Sequence, residues 1–397
     1  MHFAERMSRV SPSQTLAITN RVLELKRQGE DVIGLGAGEP DFDTPAHIKQ
    51  AAIQAIEKGH TKYTQSTGIP ELKEAVAARF ALDHGVHYNP EQIIVSCGAK
   101  HALANAIFAV ADRNDEVVIF SPYWVTYPEL VKLAGARPVF VETDARRGFA
   151  IDPDRLRAAI TPKTRAVIFN NPVNPTGAVY DEPALRQLVS VLADENVVVI
   201  SDEIYNRIYY GEKRPLSLAS FPEIRDRVIV ISGVSKSYAM TGWRIGYALG
   251  PRPVIAQMSK IQSHTTSNPT SISQWAAVAA LTGPQEPADE MVAAFRVRRD
   301  RIQARLDAMD GIVCPRTRGA FYFFPDVSHF FGRSFRGETI ENSADFCRFL
   351  LEEQKVALVP GEAFGNGNHV RISFATSLEV LEEAMDRIEA GLKALAP

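Results

Sequence analysis

Val228-Ile229-Val230-Ile231-Ser232-Gly233-Val234-Ser235-Lys236 decides the fold: four β-branched residues in a row, a Ser-Gly break, then a lysine among small and hydroxyl residues. A continuous β-branched run closing on Ser-Gly is the pattern of a buried strand that ends at a turn. Outward from it the pattern recurs. Ile93-Ile94-Val95 ends at Ser96-Cys97-Gly98-Ala99-Lys100, and Val117-Val118-Ile119-Phe120 ends at Ser121-Pro122-Tyr123-Trp124. Ala166-Val167-Ile168-Phe169 runs into Asn170-Asn171-Pro172-Val173-Asn174-Pro175-Thr176-Gly177, and Val197-Val198-Val199-Ile200 into Ser201-Asp202-Glu203-Ile204-Tyr205. Helical segments, such as the one predicted from Lys100 to Val110, separate these runs. Short apolar runs alternating with helices predict an α/β fold, a mostly parallel sheet with helices on both faces.

Lys236 stands where its strand leaves the sheet, the edge at which open α/β sheets bind ligands. An amine kept partly neutral there, by desolvation or a neighbouring positive charge, is a nucleophile that forms an imine with a carbonyl. Eight residues on, Arg244 sits between Gly242 and Gly246, and its guanidinium fork suits a phosphate or carboxylate. Lysine plus anion clamp points to a phosphorylated aldehyde.

The 397 residues, 45% hydrophobic and 23% charged, suffice for two domains with a core each. A net charge of −3 gives no broad attraction to nucleic acid or anionic membrane, so small molecules are the expected partners. Cys97, Cys314 and Cys347 are scattered and odd in number, which supports neither a disulfide framework nor a zinc-ligand spacing. No metal is expected, and a reducing cytoplasm fits. The opening Met1-His2-Phe3-Ala4-Glu5-Arg6 lacks the apolar core of an export signal, and no run approaches the roughly 18 apolar residues of a membrane span. Neither export nor anchoring is expected.

Residues 1–13, charged and carrying Pro12, read as an extended arm. Thr15 to Gln28 is an amphipathic helix ending at Gly29. Gly36-Ala37-Gly38-Glu39-Pro40-Asp41-Phe42 is too glycine-rich for a regular element; it brings backbone close to a ligand, or simply connects two domains. Helices are predicted over 46–56 and 71–80, with Tyr63 on the loop between them. After the breakers Gly283-Pro284-Gln285-Glu286-Pro287, Phe295 to Met309 reads as a helix whose arginines face solvent. Shorter strand and helix runs follow, including Val370-Arg371-Ile372-Ser373, and suggest an α+β unit. The expected division is an arm over 1–13, a small α+β domain from 14–45 plus 286–397, and a large domain over 46–285.

The strand ends carry the chemistry, each with a plainer reading beside it. The turn at Gly98 and Ala99 opens a helix, whose N-terminus is an anion site or an ordinary strand-to-helix turn. Trp124 suits stacking on an aromatic ligand, or fills a core. Asn174 lies in turn chemistry that explains it without a ligand. Asp202, emerging from a buried strand, needs a partner: the protonated nitrogen of a pyridine, or the N–H groups of a helix it caps. Tyr205, three residues on, is placed to donate to a phenolate oxygen.

Together these residues resemble a class I, fold-type I aminotransferase dependent on pyridoxal 5'-phosphate. The resemblance spans Pro12-Ser13 to Ala375-Thr376-Ser377 and rests on Asn-Pro-Thr-Gly, Ser-Asp-Glu-Ile-Tyr, Ser-Lys-x(5)-Gly-Trp-Arg-x-Gly and Val-Arg-Ile-Ser in that order. Within the class the chain is similar to the bacterial aspartate aminotransferases, through Gly-Ala-Gly-Glu-Pro-Asp-Phe, Pro-Tyr-Trp-Val-x-Tyr-Pro-Glu and Met-Thr-Gly-Trp-Arg-Ile-Gly-Tyr. It implies that Lys236 is the imine-forming, proton-shuttling catalytic residue. Asp202 would pair with the ring nitrogen, Tyr205 and Asn174 would hold the O3′ oxygen, and Trp124 would stack on the ring. Ser235, Arg244 and the backbone of Gly98 and Ala99 would bind the phosphate, with Tyr63 reaching it from the neighbouring subunit of a homodimer. Arg371 would clamp the substrate α-carboxylate, with Gly38 approaching it by backbone and Trp124 and Asn174 beside it.

A substrate such as aspartate carries a second carboxylate. Ser263-His264-Thr265-Thr266-Ser267-Asn268-Pro269, where another branch of the family supplies an arginine, has none, which leaves Lys100, with Ser13 and Thr15 nearby. The resemblance to the bacterial aspartate aminotransferases implies Lys100 in that role and transfer from L-aspartate to 2-oxoglutarate as the activity. Relatives that also accept prephenate often carry a basic residue before the Pro-Ser pair, where this chain has Ser11; a lyase using the same cofactor is the reading from another class.

Overall fold

A computed structural model describes residues 1–396. Its centre is a seven-stranded sheet. From one edge to the other run Ile93–Ser96, Gly246–Leu249, Val228–Gly233, Val198–Asp202, Thr164–Asn170, Glu116–Ser121 and Arg137–Glu142. Gly246–Leu249 pairs antiparallel with both neighbours and every other pairing is parallel. The β-branched runs are the buried strands, because a sheet covered by helices on both faces leaves no position for alternating polar residues. One face packs Ile94, Ile119, Ile168, Ile200, Ile229 and Ile231 against Leu103 and Ile107 of the helix Ala99–Val110. The opposite face packs Val118, Val167, Val199 and Val230 into a second core.

Register brings the chemistry to one level. Asn170 lies opposite Asp202, and Asp202 opposite Ile231. Two strands thus end level and the third runs on to Gly233, and Asn174, Tyr205 and Lys236 all follow just beyond that edge.

A smaller unit sits above it. Val370–Ser373 is the middle of a three-stranded antiparallel sheet between Val359–Pro360 and Tyr322–Phe323, and Ile33–Gly34 pairs in parallel with Val356–Ala357. Phe295, Phe346, Leu350, Ile372, Leu381 and Ile388 share one core with Ile33 and Leu35. Residues before 46 and the last third of the chain thus share a core, which Ile204, Tyr205, Ile208 and Tyr210 also enter.

Several expectations change. Residues Glu5–Arg9 of the arm form a 3-10 helix with no buried residue. The helix expected from Phe295 begins at Glu286, because Pro287 in its first turn removes an N–H that has no helical acceptor and so starts the helix instead of breaking it. Its arginines are not all solvated: Arg299 is buried over the Tyr210 ring at 4.8 Å and donates to the Thr317 carbonyl at 2.9 Å. Arg137–Glu142 and Gly246–Leu249 are strands that the sequence reading did not mark. Among the described residues no helix is long and apolar enough to cross a membrane.

Candidate active site

A cavity of about 350 Å³ opens at the carboxyl ends of the parallel strands, within the range of sites for small ligands. Lys236 lies in the turn following Val228–Gly233, and its ammonium donates to the Gly38 carbonyl of the glycine loop. Burial lowers its pKa to about 8; the Glu39 carboxylate opposes this, and the Arg371, Arg244 and Lys100 charges add to it. The amine is thus far closer to its nucleophilic neutral form than a surface lysine is.

Asp202, the last residue of its strand, is 3% exposed. It caps no helix. A tight turn follows, in which its Oδ1 accepts the Ile204 N–H at 3.2 Å. Its Oδ2 accepts the Tyr127 hydroxyl at 2.8 Å. Burial pushes this carboxyl up to about 6, and the bonds from Tyr127 and Ile204 hold against a larger rise. The Lys236 charge also favours its ionised form, but among the described residues the carboxylate makes no ion pair, and it would gain one from a protonated ring nitrogen.

Asn170 ties the strand ends together, donating through its side chain to the Asp202 carbonyl and accepting the Asn174 N–H, each at 2.8 Å. Asn174 Oδ1 in turn accepts from Arg371 at 3.0 Å, and the second guanidinium nitrogen of Arg371 donates to the Gly36 carbonyl at 2.7 Å. Arg371 is 2% exposed between the rings of Tyr322 and Phe364, 4.4 and 4.8 Å from their centroids. Its Nε has no hydrogen-bond partner among the described residues. Tyr205 is buried, and its hydroxyl lies 2.9 Å from that of Tyr322.

An anion cradle closes one end. Ala99–Val110 begins at the cavity, and the N–H groups of Ala99 and Lys100 have no acceptor within the helix. Gly98, at φ +94°, has the Arg244 guanidinium where a side chain would stand; its own N–H is turned to the Ser96 carbonyl at 2.7 Å. A Cβ on Gly246 would overlap the Ala99 backbone, so glycine alone lets that strand pass beneath the helix start. Ser235 lines the cavity beside Arg244.

Trp124 and Lys100 line the same cavity, with the Lys100 amine 5.1 Å from the Trp124 ring centre, and Ser13 and Thr15 reach it from the N-terminal helix. Burial of its amine end and the Arg244 charge lower the Lys100 pKa. Of the expected residues, Tyr63 alone stands well apart, 89% exposed on its loop and outside this cavity. Asn170, Tyr127 and Tyr322 were missed. Tyr127 follows Trp124 by three positions, a helical spacing that could have flagged it, and Tyr322 was hidden in the aromatic run Ala320-Phe321-Tyr322-Phe323-Phe324.

A lysine, a buried carboxylate and an anion cradle at the carboxyl ends of a mostly parallel sheet, under a small sheet bearing a buried arginine, define the fold-type I architecture of α/β transferases. The family described as aminotransferase class I and II matches residues 30–388. Over the full length of both chains the protein is 50% identical to the aspartate aminotransferase of Geobacillus stearothermophilus. It is 48% identical to the aspartate/prephenate aminotransferase of Cereibacter sphaeroides over 98% of each. The crystal structure of the aspartate aminotransferase from Rhizobium meliloti superposes with a TM-score of 0.96 at 45% identity, covering all of both chains. The chain belongs to the aminotransferase class I and II family and is an aminotransferase.

Proposed function

We propose that this enzyme is an aspartate aminotransferase, moving the amino group of L-aspartate to 2-oxoglutarate with pyridoxal 5'-phosphate in the cavity. The observation that carries the reading is that Lys236, Arg371 and Lys100 line one cavity. That is an amine for the cofactor and a cation for each carboxylate of a dicarboxylic substrate. The relatives' names, aspartate aminotransferase among them, support it.

The residues present fit the cofactor. The Asp202 carboxylate makes no ion pair among the described residues, the Lys236 charge acting on it without direct contact, the Arg371 Nε lacks an acceptor there, and the first turn of Ala99–Val110 offers free N–H groups beside Arg244. Asp202 holds the ring nitrogen, Tyr205 and Asn174 the phenolic oxygen, and Trp124 the ring face. Ser235, Arg244 and the Ala99 N–H would hold the phosphate, with Gly98, whose own N–H goes to Ser96, leaving room for the Arg244 guanidinium. When bound, the cofactor supplies an electron sink for the charge left on the substrate α-carbon.

The chain does the rest. Arg371 takes the α-carboxylate as a bidentate fork, with Gly38 and Asn174 beside it. Lys100 takes the distal carboxylate as a point charge, a looser recognition than a second arginine gives. Lys236 Nζ accepts the α-proton and returns it on the same face, held in place by the turn that follows its strand. The donor leaves as oxaloacetate before 2-oxoglutarate enters.

A small domain of 14–45 plus 286–397 and a large domain of 46–285 are supported by the core that Ile33 and Leu35 share with Ile372 and Leu381, which Tyr205 and Tyr210 also enter; closure of the small domain would carry Arg371 over the substrate and exclude water. Tyr63, exposed in its own chain, serves the phosphate site of a second subunit in a cytoplasmic homodimer. A steady-state scan of amino donors against 2-oxoglutarate, with prephenate as a second acceptor, tests the substrate. Aspartate should lead; aromatic or small neutral donors outrunning it would reject the substrate while leaving the aminotransferase standing. The naming of relatives as aspartate/prephenate enzymes makes prephenate turnover the second reading.

A further inference from the structure

We propose that Tyr322 is a positioning residue that serves both ends of the reaction at once, its hydroxyl directing the proton of Tyr205 and its ring seating Arg371. The inference rests on the reading of the cavity given above and concerns a residue to which that reading assigns no role.

Tyr322 comes from the small antiparallel sheet, where it lies opposite Ser373, two residues from Arg371. It is 1% exposed, and its hydroxyl meets that of Tyr205, which follows the Val198–Asp202 strand of the large sheet, at 2.9 Å. One of the two hydroxyls must donate to the other. Asn174 Oδ1 and the Gly36 carbonyl bond the two terminal nitrogens of Arg371, and the hydrogen bond of the Tyr322 hydroxyl among the described residues is the one with Tyr205. The guanidinium over the Tyr322 ring offers only donors. Either hydroxyl can donate in the unliganded site; once a phenolate oxygen in the cavity takes the Tyr205 proton, Tyr205 has only lone pairs to offer and Tyr322 is the donor.

Two donors in series polarise each other, so the bond from Tyr205 to a phenolate oxygen is stronger than Tyr205 alone would make. A stronger donor favours the deprotonated form of the chromophore that the cofactor makes with Lys236. The charged and titratable groups around Tyr205 are Tyr322, Arg371, Asp202 and Tyr127, and a Tyr322→Phe change leaves the last three in place. Gly38 completes the fit: a Cβ there would stand 2.7 Å from the Tyr322 oxygen, so the glycine loop is shaped around this hydroxyl.

The two roles separate by substitution. With pyridoxal 5'-phosphate bound, Tyr322→Phe should raise the pH midpoint of the visible chromophore by about 0.3 to 1 unit, the size of one modest hydrogen bond. KM for aspartate should stay within about twofold, since the ring remains under Arg371. Tyr322→Leu, which also removes the ring, should raise that KM by about tenfold. In a Tyr205→Phe background the Tyr322→Phe shift should vanish, because the hydroxyl acts only through Tyr205. An unchanged midpoint in Tyr322→Phe, or a shift that persists without the Tyr205 hydroxyl, overturns the inference. A KM rise in Tyr322→Phe equal to that in Tyr322→Leu does the same. If the parent protein forms no visible chromophore with the cofactor, the reading of the cavity has failed instead.

Discussion

The Tyr127 hydroxyl donates to Asp202 Oδ2 at 2.8 Å, the one side-chain hydrogen bond that this buried carboxylate receives among the described residues. It links the helix Thr126–Leu133, which starts just after Trp124, to the end of the strand Val198–Asp202. The bond favours the ionised carboxylate against its burial. Removing it in Tyr127→Phe should push the Asp202 pKa further up from about 6, because the charged form loses its donor while the burial remains. Cofactor affinity, which depends on the ionised carboxylate, should fall about tenfold near neutral pH, and its acid limb should move to higher pH. Equilibrium titration of the apoenzyme with pyridoxal 5'-phosphate across pH measures both; an unmoved acid limb would show that Tyr127 only fills space.

Lys236 should capture the cofactor in a pH-dependent way. Its amine titrates near 8 instead of at the ordinary 10.5, so it is protonated and unreactive below that value and neutral above it. Stopped-flow formation of the visible chromophore from cofactor-free protein should therefore speed up with rising pH and level off above about 8. Glu39 holds the amine up, so Glu39→Gln should shift the midpoint down. A midpoint near that of a free lysine would mean that the amine is not desolvated in solution.

Lys100 should matter for one class of substrate only. Lys100→Ala should lower kcat/KM for aspartate by about tenfold to a hundredfold, the range for losing a hydrogen bond to a charged group, and change that for alanine by less than about threefold. Equal losses for both donors would assign Lys100 to the cofactor and not to the distal carboxylate.

Much of the fold was legible because the interior strands carry unbroken runs such as Val228-Ile229-Val230-Ile231, which only a doubly covered sheet can bury. The residues ending those runs converge for the same reason, since parallel strands share one carboxyl edge. Arg137–Glu142 escaped notice as an edge strand, whose Arg137 and Glu142 lie exposed and break the apolar pattern. Gly246–Leu249 is four residues long and runs against its neighbours, so no strand–helix alternation announces it. In the site, ionisable residues beside glycine turns stood out, whereas Tyr127 and Tyr322 did not. A buried tyrosine is apolar over most of its surface, and only the position of its hydroxyl separates a core residue from one that holds Asp202 or Tyr205. That position is set by contacts between residues 75 and 117 apart in the chain, which no local pattern records.

The account turns on one covalent bond. Reduction of the cofactor-loaded protein with borohydride, followed by peptide mapping by mass spectrometry, reads it directly. The prediction is one reduced pyridoxyl group per chain, on the peptide containing Lys236, and none when Lys236 is replaced by alanine. A stoichiometric label on another lysine, or an undiminished one in the Lys236→Ala protein, would contradict the assignment of the site.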